Sequence, residues 1–123
     1  MLDVESRLFA AVGDYGQGAT ERGAAELRSA LRDGLSGGVL TEDIINDVGY
    51  YCLENGLSEA AVDAFSFNAE QFPDSANAHD SLGEALVAAG RLTEAAGSYR
   101  RALQLDPRLS SSQAALDRLD VQE

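Results

Sequence analysis

Residues 49–73, GYYCLENGLSEAAVDAFSFNAEQFP, lie over residues 83–107, GEALVAAGRLTEAAGSYRRALQLDP, when the chain is slid by 34 positions. Gly49 falls on Gly83, Gly56 on Gly90, Ala61 on Ala95, Phe65 on Tyr99 and Pro73 on Pro107. A period of this length belongs to a helix–turn–helix unit that buries its apolar face on the next unit. Glycine in mid-helix costs about 1 kcal/mol in propensity. Gly49 and Gly83 therefore predict close approach of the partner helix, with Ala61 and Ala95 meeting them. Phe65 and Tyr99 are expected to fill the gap between adjacent hairpins. Pro73 and Pro107 end the second helix, because the residue before a proline is pushed out of the α region.

Along the whole chain, apolar spacing predicts seven helices, at about residues 3–14, 18–33, 42–54, 58–71, 75–88, 92–104 and 110–120. Gly16 and Gly18, Gly34, Gly37 and Gly38, Gly56, and Gly90 punctuate the joins. Thr41, Ser58, Ser75 and Thr93 read as N-caps, with Glu42, Glu59 and Glu94 just inside, where the helix dipole favours an acid. Two full repeats result, 42–74 and 75–108. Within residues 1–38, Val4, Leu8, Phe9 and Val12 form one apolar stripe and Ala24, Leu27, Leu31 and Leu35 another, as in a degenerate helix pair stacked on the first repeat. Residues 109–123 read as a capping helix, apolar at Leu109, Leu116 and Leu119 and polar at Asp117, Arg118, Asp120 and Gln122. The expectation is a single all-α domain, a solenoid of about seven antiparallel helices over residues 1–123.

Composition narrows the function. A formal charge of −12, from 21 acidic and nine basic residues, opposes a polyphosphate backbone or an anionic membrane, so neither is an expected partner. Every basic residue is arginine, which excludes Schiff-base chemistry and other reactions that need a lysine. The lone Cys52 forms no internal disulfide, and Met1-Leu2-Asp3-Val4-Glu5 has neither a basic nor an apolar leader segment, so a cytoplasmic location is expected. No apolar run approaches the ~18 residues of a membrane span.

The repeated positions resemble the tetratricopeptide repeat: a Leu-Gly pair in the first helix, here Val48-Gly49 and Leu82-Gly83, then Ala, an aromatic and a closing Pro. The first repeat departs from it at Cys52, where the family prefers Tyr, and at Asn68, where it has Ala. The run from Phe65 to Ala85 is further similar to the tetratricopeptide tail behind the catalytic domain of bacterial serine hydrolases and β-lactamase-like proteins, a likeness that covers roughly residues 12–108. The resemblance implies a TPR-type solenoid whose first helices line a concave groove. Its groove positions fall on Asp43, Asn46, Asp47, Tyr50 and Glu54 and on Asn77, Asp80, Ser81, Glu84 and Val87. Five carboxylates stand among them, so a basic or arginine-bearing segment is the expected ligand, with Tyr50 as its anchor. Chaperone-binding members hold a carboxylate with Lys, Arg and Asn at these places; here acids replace them, which disfavours acidic tails.

No chemistry is expected. Gly34-Leu35-Ser36-Gly37-Gly38 spells the G-x-S-x-G nucleophile elbow, but without the strand before and the helix after Ser36 it reads as a flexible linker. His79, the only imidazole, reads as a half-buried packing residue, and Cys52 as a small buried hydrophobe. Asp43 and Asp47, one turn apart, are too few for a cation site. Neither a metal nor a cofactor is anticipated. The chain therefore reads as a non-enzymatic adaptor or scaffold that holds a segment of another protein, with self-association into a homodimer as one way to lengthen a short groove. The alternative is a non-catalytic accessory subunit of a separately encoded hydrolase or biosynthetic enzyme.

Overall fold

In the computed structural model, which describes residues 3–122, the chain runs through α1 (Val4–Gly16), α2 (Thr20–Ser36), α3 (Glu42–Glu54), α4 (Ser58–Gln71), α5 (Ala76–Ala88), α6 (Leu92–Leu105) and α7 (Ser110–Gln122). Residues 1, 2 and 123, and the side chains of Val121 and Gln122, lie outside the described residues; the reading of Met1-Leu2 as lacking a leader segment and the Gln122 end of the capping helix's polar face fall there. No strand occurs among the described residues, so the all-α expectation holds.

Successive helices pair into hairpins through turns of one kind. Gly56 and Gly90 take the left-handed conformation, at φ 74° and 76°, and the residue after each returns a backbone bond into the preceding helix. Leu57 N–H donates to Cys52 O at 2.9 Å and Arg91 N–H to Leu86 O at 2.8 Å. The N-terminal pair repeats this turn, with Ala19 N–H donating to Asp14 O at 2.8 Å, but it is offset by 38 residues from the next unit. The difference of four arises because α2 has 17 residues against 14 in α4, and the loop after α2 has one residue more.

Helix α4 lies at the centre, packed on α2, α3 and α5. It buries Ala60, Ala61, Val62, Ala64, Phe65, Phe67, Asn68 and Ala69. Its one polar stripe is narrow, made of Glu59, Asp63, Ser66 and Glu70, and the rest of its circumference is buried. The N-terminal pair is fixed to it: Leu27 and Leu31 of α2 are fully buried, Tyr15 hydrogen-bonds the Asp63 carboxylate, and Arg28 meets Glu70 at 3.0 Å. At the other end, α7 packs on α6 and its Ser111 and Ser112 hydroxyls donate to Asp80 of α5.

Several expectations are corrected. The Gly49 and Gly83 hollows receive aromatic rings, not the backbone of a facing helix. A Cβ on Gly49 would come to 2.4 Å from the Phe65 ring, and one on Gly83 to 2.7 Å from the Tyr99 ring. Phe65 and Tyr99 thus fill space inside their own hairpins. The first hairpin reverses the roles: a Cβ on Gly23 of α2 would lie 2.9 Å from the Tyr15 ring of α1. Residues 34–38 are not a linker, because α2 runs on through Ser36 and leaves only Gly37 to Thr41 between helices. Gly34 is a buried helix residue whose missing Cβ admits Leu40, which would otherwise lie 2.5 Å away.

The caps divide. Thr41 and Ser75 accept from the backbone N–H of Ile44 and Ala78, whereas α4 and α6 are preceded by Leu57 and Arg91 with no side-chain cap, so Ser58 and Thr93 lie inside their helices. Asp3, not expected as a cap, accepts from Ser6 N–H, and that bond holds its carboxyl below the ordinary range. Thr41→Ala and Ser75→Ala are each expected to cost about 1 kcal/mol in urea unfolding, and Ser58→Ala and Thr93→Ala only a few tenths.

Candidate protein-binding surface

The groove positions sit on α3 and α5, which lie side by side. Tyr50 and Glu84, at equivalent places in successive repeats, are joined by a bond from the phenol to the carboxylate at 2.9 Å. The same phenol lies 3.1 Å from Ser81 Oγ, and its ring meets Phe65 edge-on at a centroid distance of 5.1 Å. Burial raises the Tyr50 phenol above its ordinary pKa; the Glu84 bond adds to the rise and the Ser81 bond opposes it. Tyr50 is therefore a strut between repeats rather than a free anchor.

The other positions separate by accessibility. Asp43, Asp47, Glu54, Asn77, Glu84 and Val87 are exposed. Ser81 is fully buried and touches no surface, and Asp80 is held by the two α7 serines at 2.5 and 3.2 Å. Asn46 is half-buried with a carbonyl oxygen that finds no partner. The five carboxylates are thus divided: three on α3, one shared with Tyr50, one tied to α7. Among the described residues, no three acidic, histidine or cysteine side chains come close enough to hold a metal ion.

What distinguishes this face is its charge. Between Thr41 and Gly90 the chain carries ten acidic residues and no arginine. The ion pairs among the described residues are Arg7–Asp33, Arg22–Asp14, Arg28–Glu70, Arg91–Glu59 and Arg91–Glu94, all away from α3 and α5. Among the described residues, Asp43, Asp47, Glu54 and Glu84 meet no cation. Exposed pairs contribute ~1 kcal/mol or less, so their placement matters here for the field they leave, not for stability.

A second feature escaped the sequence reading. A cleft of about 380 Å³ opens between α1 and α3, lined by Val4, Leu8, Phe9 and Val12 from one side and Ile44, Asp47, Val48 and Tyr51 from the other. The α1 stripe was legible but was assigned to the core; Phe9 is instead 59% exposed. Another hollow of about 410 Å³ lies between α4, α5 and α6, lined by Val62, Leu82 and Leu86 with His79, Arg91 and Arg101. His79 is half-buried and its Nε2 lies 3.0 Å from Pro73 O, a packing role. Cys52 is fully buried, and burial pushes its thiol up to about 11, the profile of an inert cysteine. Ser36 is exposed at the end of a helix, with no strand leading to it.

The tetratricopeptide repeat family model matches residues 76–109, the α5–α6 hairpin and the turn after it. The fold is a tetratricopeptide-type solenoid. Solved structures agree along the whole chain. A mutant of MamA is 26% identical, with a TM-score of 0.78, over 98% of this chain and 85% of that one. MamA MSR-1 is similar at a TM-score of 0.63 and 26% identity, over 98% of this chain and 67% of that chain. MamA AMB-1 gives 0.64 at 26% identity, over 98% and 64%. No curated protein sequence matches the chain. The tetratricopeptide solenoid is a protein-binding architecture, and none of its described helices is long and apolar enough to cross a membrane.

Proposed function

We propose that the chain is a non-catalytic scaffold that holds a basic or arginine-bearing segment of another protein against the acidic face of α3 and α5. The observation that carries this reading is the set of exposed carboxylates Asp43, Asp47, Glu54 and Glu84, left without cations while the arginines are paired or placed elsewhere. Such a face attracts cationic segments and repels acidic ones. The whole chain acts as one module in the cytoplasm, with the N-terminal pair as a degenerate repeat and α7 as the cap. The ligand contacts are Asp43, Asp47, Glu54, Asn77, Glu84 and Val87.

An affinity capture from the source organism's lysate tests this, with wild type beside a variant carrying Asp43→Ser, Asp47→Ser, Glu54→Ser and Glu84→Ser. The reading expects a partner lost from the variant and from a wash at moderate salt, since surface charge attraction is screened within about 10 Å at 0.1 M. A partner kept by both would move binding off this face. The similarity of Phe65 to Ala85 to hydrolase tails favours the second reading, an accessory subunit of a separate enzyme; there the captured partner would itself be a hydrolase or biosynthetic enzyme lacking a repeat tail.

A further inference from the structure

Five large apolar side chains are exposed among the described residues, and four of them, Phe9, Val39, Ile44 and Tyr51, border the cleft between α1 and α3. Single exposed apolar residues are ordinary; four around one concavity mark a surface that expects a cover. The walls have a definite form. On α1, Val4, Leu8 and Val12 follow one another at helical spacing, and on α3 Ile44, Val48 and Tyr51 do the same. Phe9 and Tyr51 meet edge to face at 6.5 Å at one side. Two facing stripes about two turns long are the walls that a third helix packs into, ridge against groove. No sheet edge is present among the described residues to favour an extended peptide.

Charge selects the occupant. Among the described residues, the charged groups lining the cleft are Glu5 and Asp47, both carboxylates without an ion pair there. Arg7, on the same helix, is turned to Asp33 and Ser29. A second copy of the chain would bring a net charge of −12 to this acidic rim.

We propose that the α1–α3 cleft docks an amphipathic helix of a partner protein, its apolar residues at i, i+3 or i+4 and i+7 seated between Phe9, Leu8, Ile44 and Tyr51, and its flanking Lys or Arg residues facing Glu5 and Asp47. The proposal rests on the scaffold reading and names the class of segment bound. Because the cleft needs apolar contacts that the α3–α5 face does not supply, the two fail separately.

The test pans a displayed library of random 16-residue peptides against the full chain. Selected binders are then measured by fluorescence anisotropy against wild type, Phe9→Ser, Ile44→Ser and a Glu54→Ser, Glu84→Ser variant. Both cleft side chains are partly exposed, Phe9 to 59% and Ile44 to 41%, so their variants stay folded at the assay temperature, which their melting curves check. The expected binders share helical apolar spacing with basic flanks. They lose at least ~10-fold in affinity with Phe9→Ser and with Ile44→Ser, and less than ~3-fold with the α3–α5 variant. Basic binders that lack the spacing and ignore Phe9→Ser would overturn the cleft proposal and leave the acidic face standing. Binders with no basic preference would overturn the cleft proposal, whose charged rim selects the occupant. A selection yielding no binder sinks the cleft proposal alone, since lysate capture judges the acidic face independently. A wild-type dimer that Phe9→Ser dissociates would assign the cleft to a second copy instead.

Discussion

Phe65→Ala is expected to lower the unfolding free energy by about 3–5 kcal/mol, the largest loss of any single truncation in the chain. Phe65 is fully buried on the central helix, and its ring occupies the hollow left by Gly49. Removing it empties a site walled by two backbones that cannot collapse together. Gly49→Ala attacks the same contact from the other side. Its Cβ, 2.4 Å from the ring, forces a displacement worth about 1–3 kcal/mol, offset in part by the ~1 kcal/mol helix preference of Ala over Gly. The decisive measurement is the double variant in urea unfolding. With the ring gone the clash is gone, so Gly49→Ala is expected to be neutral or stabilising in the Phe65→Ala background. Strict additivity of the two losses would contradict the proposed packing. Gly83→Ala is expected to cost less, because the Tyr99 ring, at 2.7 Å and 5% exposed, has an outlet to solvent.

Asn68→Asp is expected to cost about 3 kcal/mol or more at pH 7 and little near pH 4, relative to wild type at the same pH. Asn68 is 1% exposed, and its amide donates to Glu42 O at 3.0 Å, tying α4 to the start of α3; its own carbonyl oxygen has no partner. A carboxylate there replaces the donor with a charge facing a carbonyl oxygen, and a buried unpaired charge costs several kcal/mol. Burial raises the folded-state pKa of such a group above its unfolded value of about 3.9. The penalty is therefore absent at low pH, where the protonated acid restores a donor to Glu42 O, and develops as pH rises through the unfolded pKa. Asn68→Ala takes the donor from Glu42 O but also removes the unpartnered oxygen, and is expected to cost about 1–3 kcal/mol with no dependence on pH between 4 and 7. Equal stability of Asn68→Asp and wild type at pH 7 would show that the side chain is not enclosed.

The positions that recur at 34 residues were readable because each does the same physical task twice. Gly56 and Gly90 turn the hairpins, Ala61 and Ala95 are fully buried, and the helices end at Gln71 and Leu105, just ahead of Pro73 and Pro107. The N-terminal pair was visible only as two stripes. Its kinship lies at an offset of 38, where Asp3 matches Thr41, Gly18 matches Gly56 and Leu27 matches Phe65, and where ring and glycine trade helices at Tyr15 and Gly23. The longer α2 puts that match out of register with the 34-residue period. Ser58 and Thr93 misled because a hydroxyl one or two residues inside a helix looks in sequence like a cap. At the site, spacing identified which helices and which faces, but not which groups were already engaged. Burial of Ser81 depends on Tyr50, 31 residues away, and the hold on Asp80 depends on α7. The α1–α3 cleft is not legible for a related reason: periodicity reports an apolar stripe without saying whether a neighbour covers it, and Phe9, though its ring meets Tyr51, stays 59% exposed.

Site-specific photo-crosslinking reads the binding face most directly. The photoreactive amino acid p-benzoylphenylalanine is placed singly at Asp43, at Glu54, or at Gln104 of α6, all exposed, and the chain is irradiated in lysate of the source organism. The account expects one partner protein joined through positions 43 and 54, released by moderate salt before irradiation, and absent from position 104. An adduct formed through Gln104 alone would place the partner on the second-helix face and contradict the acidic-face scaffold.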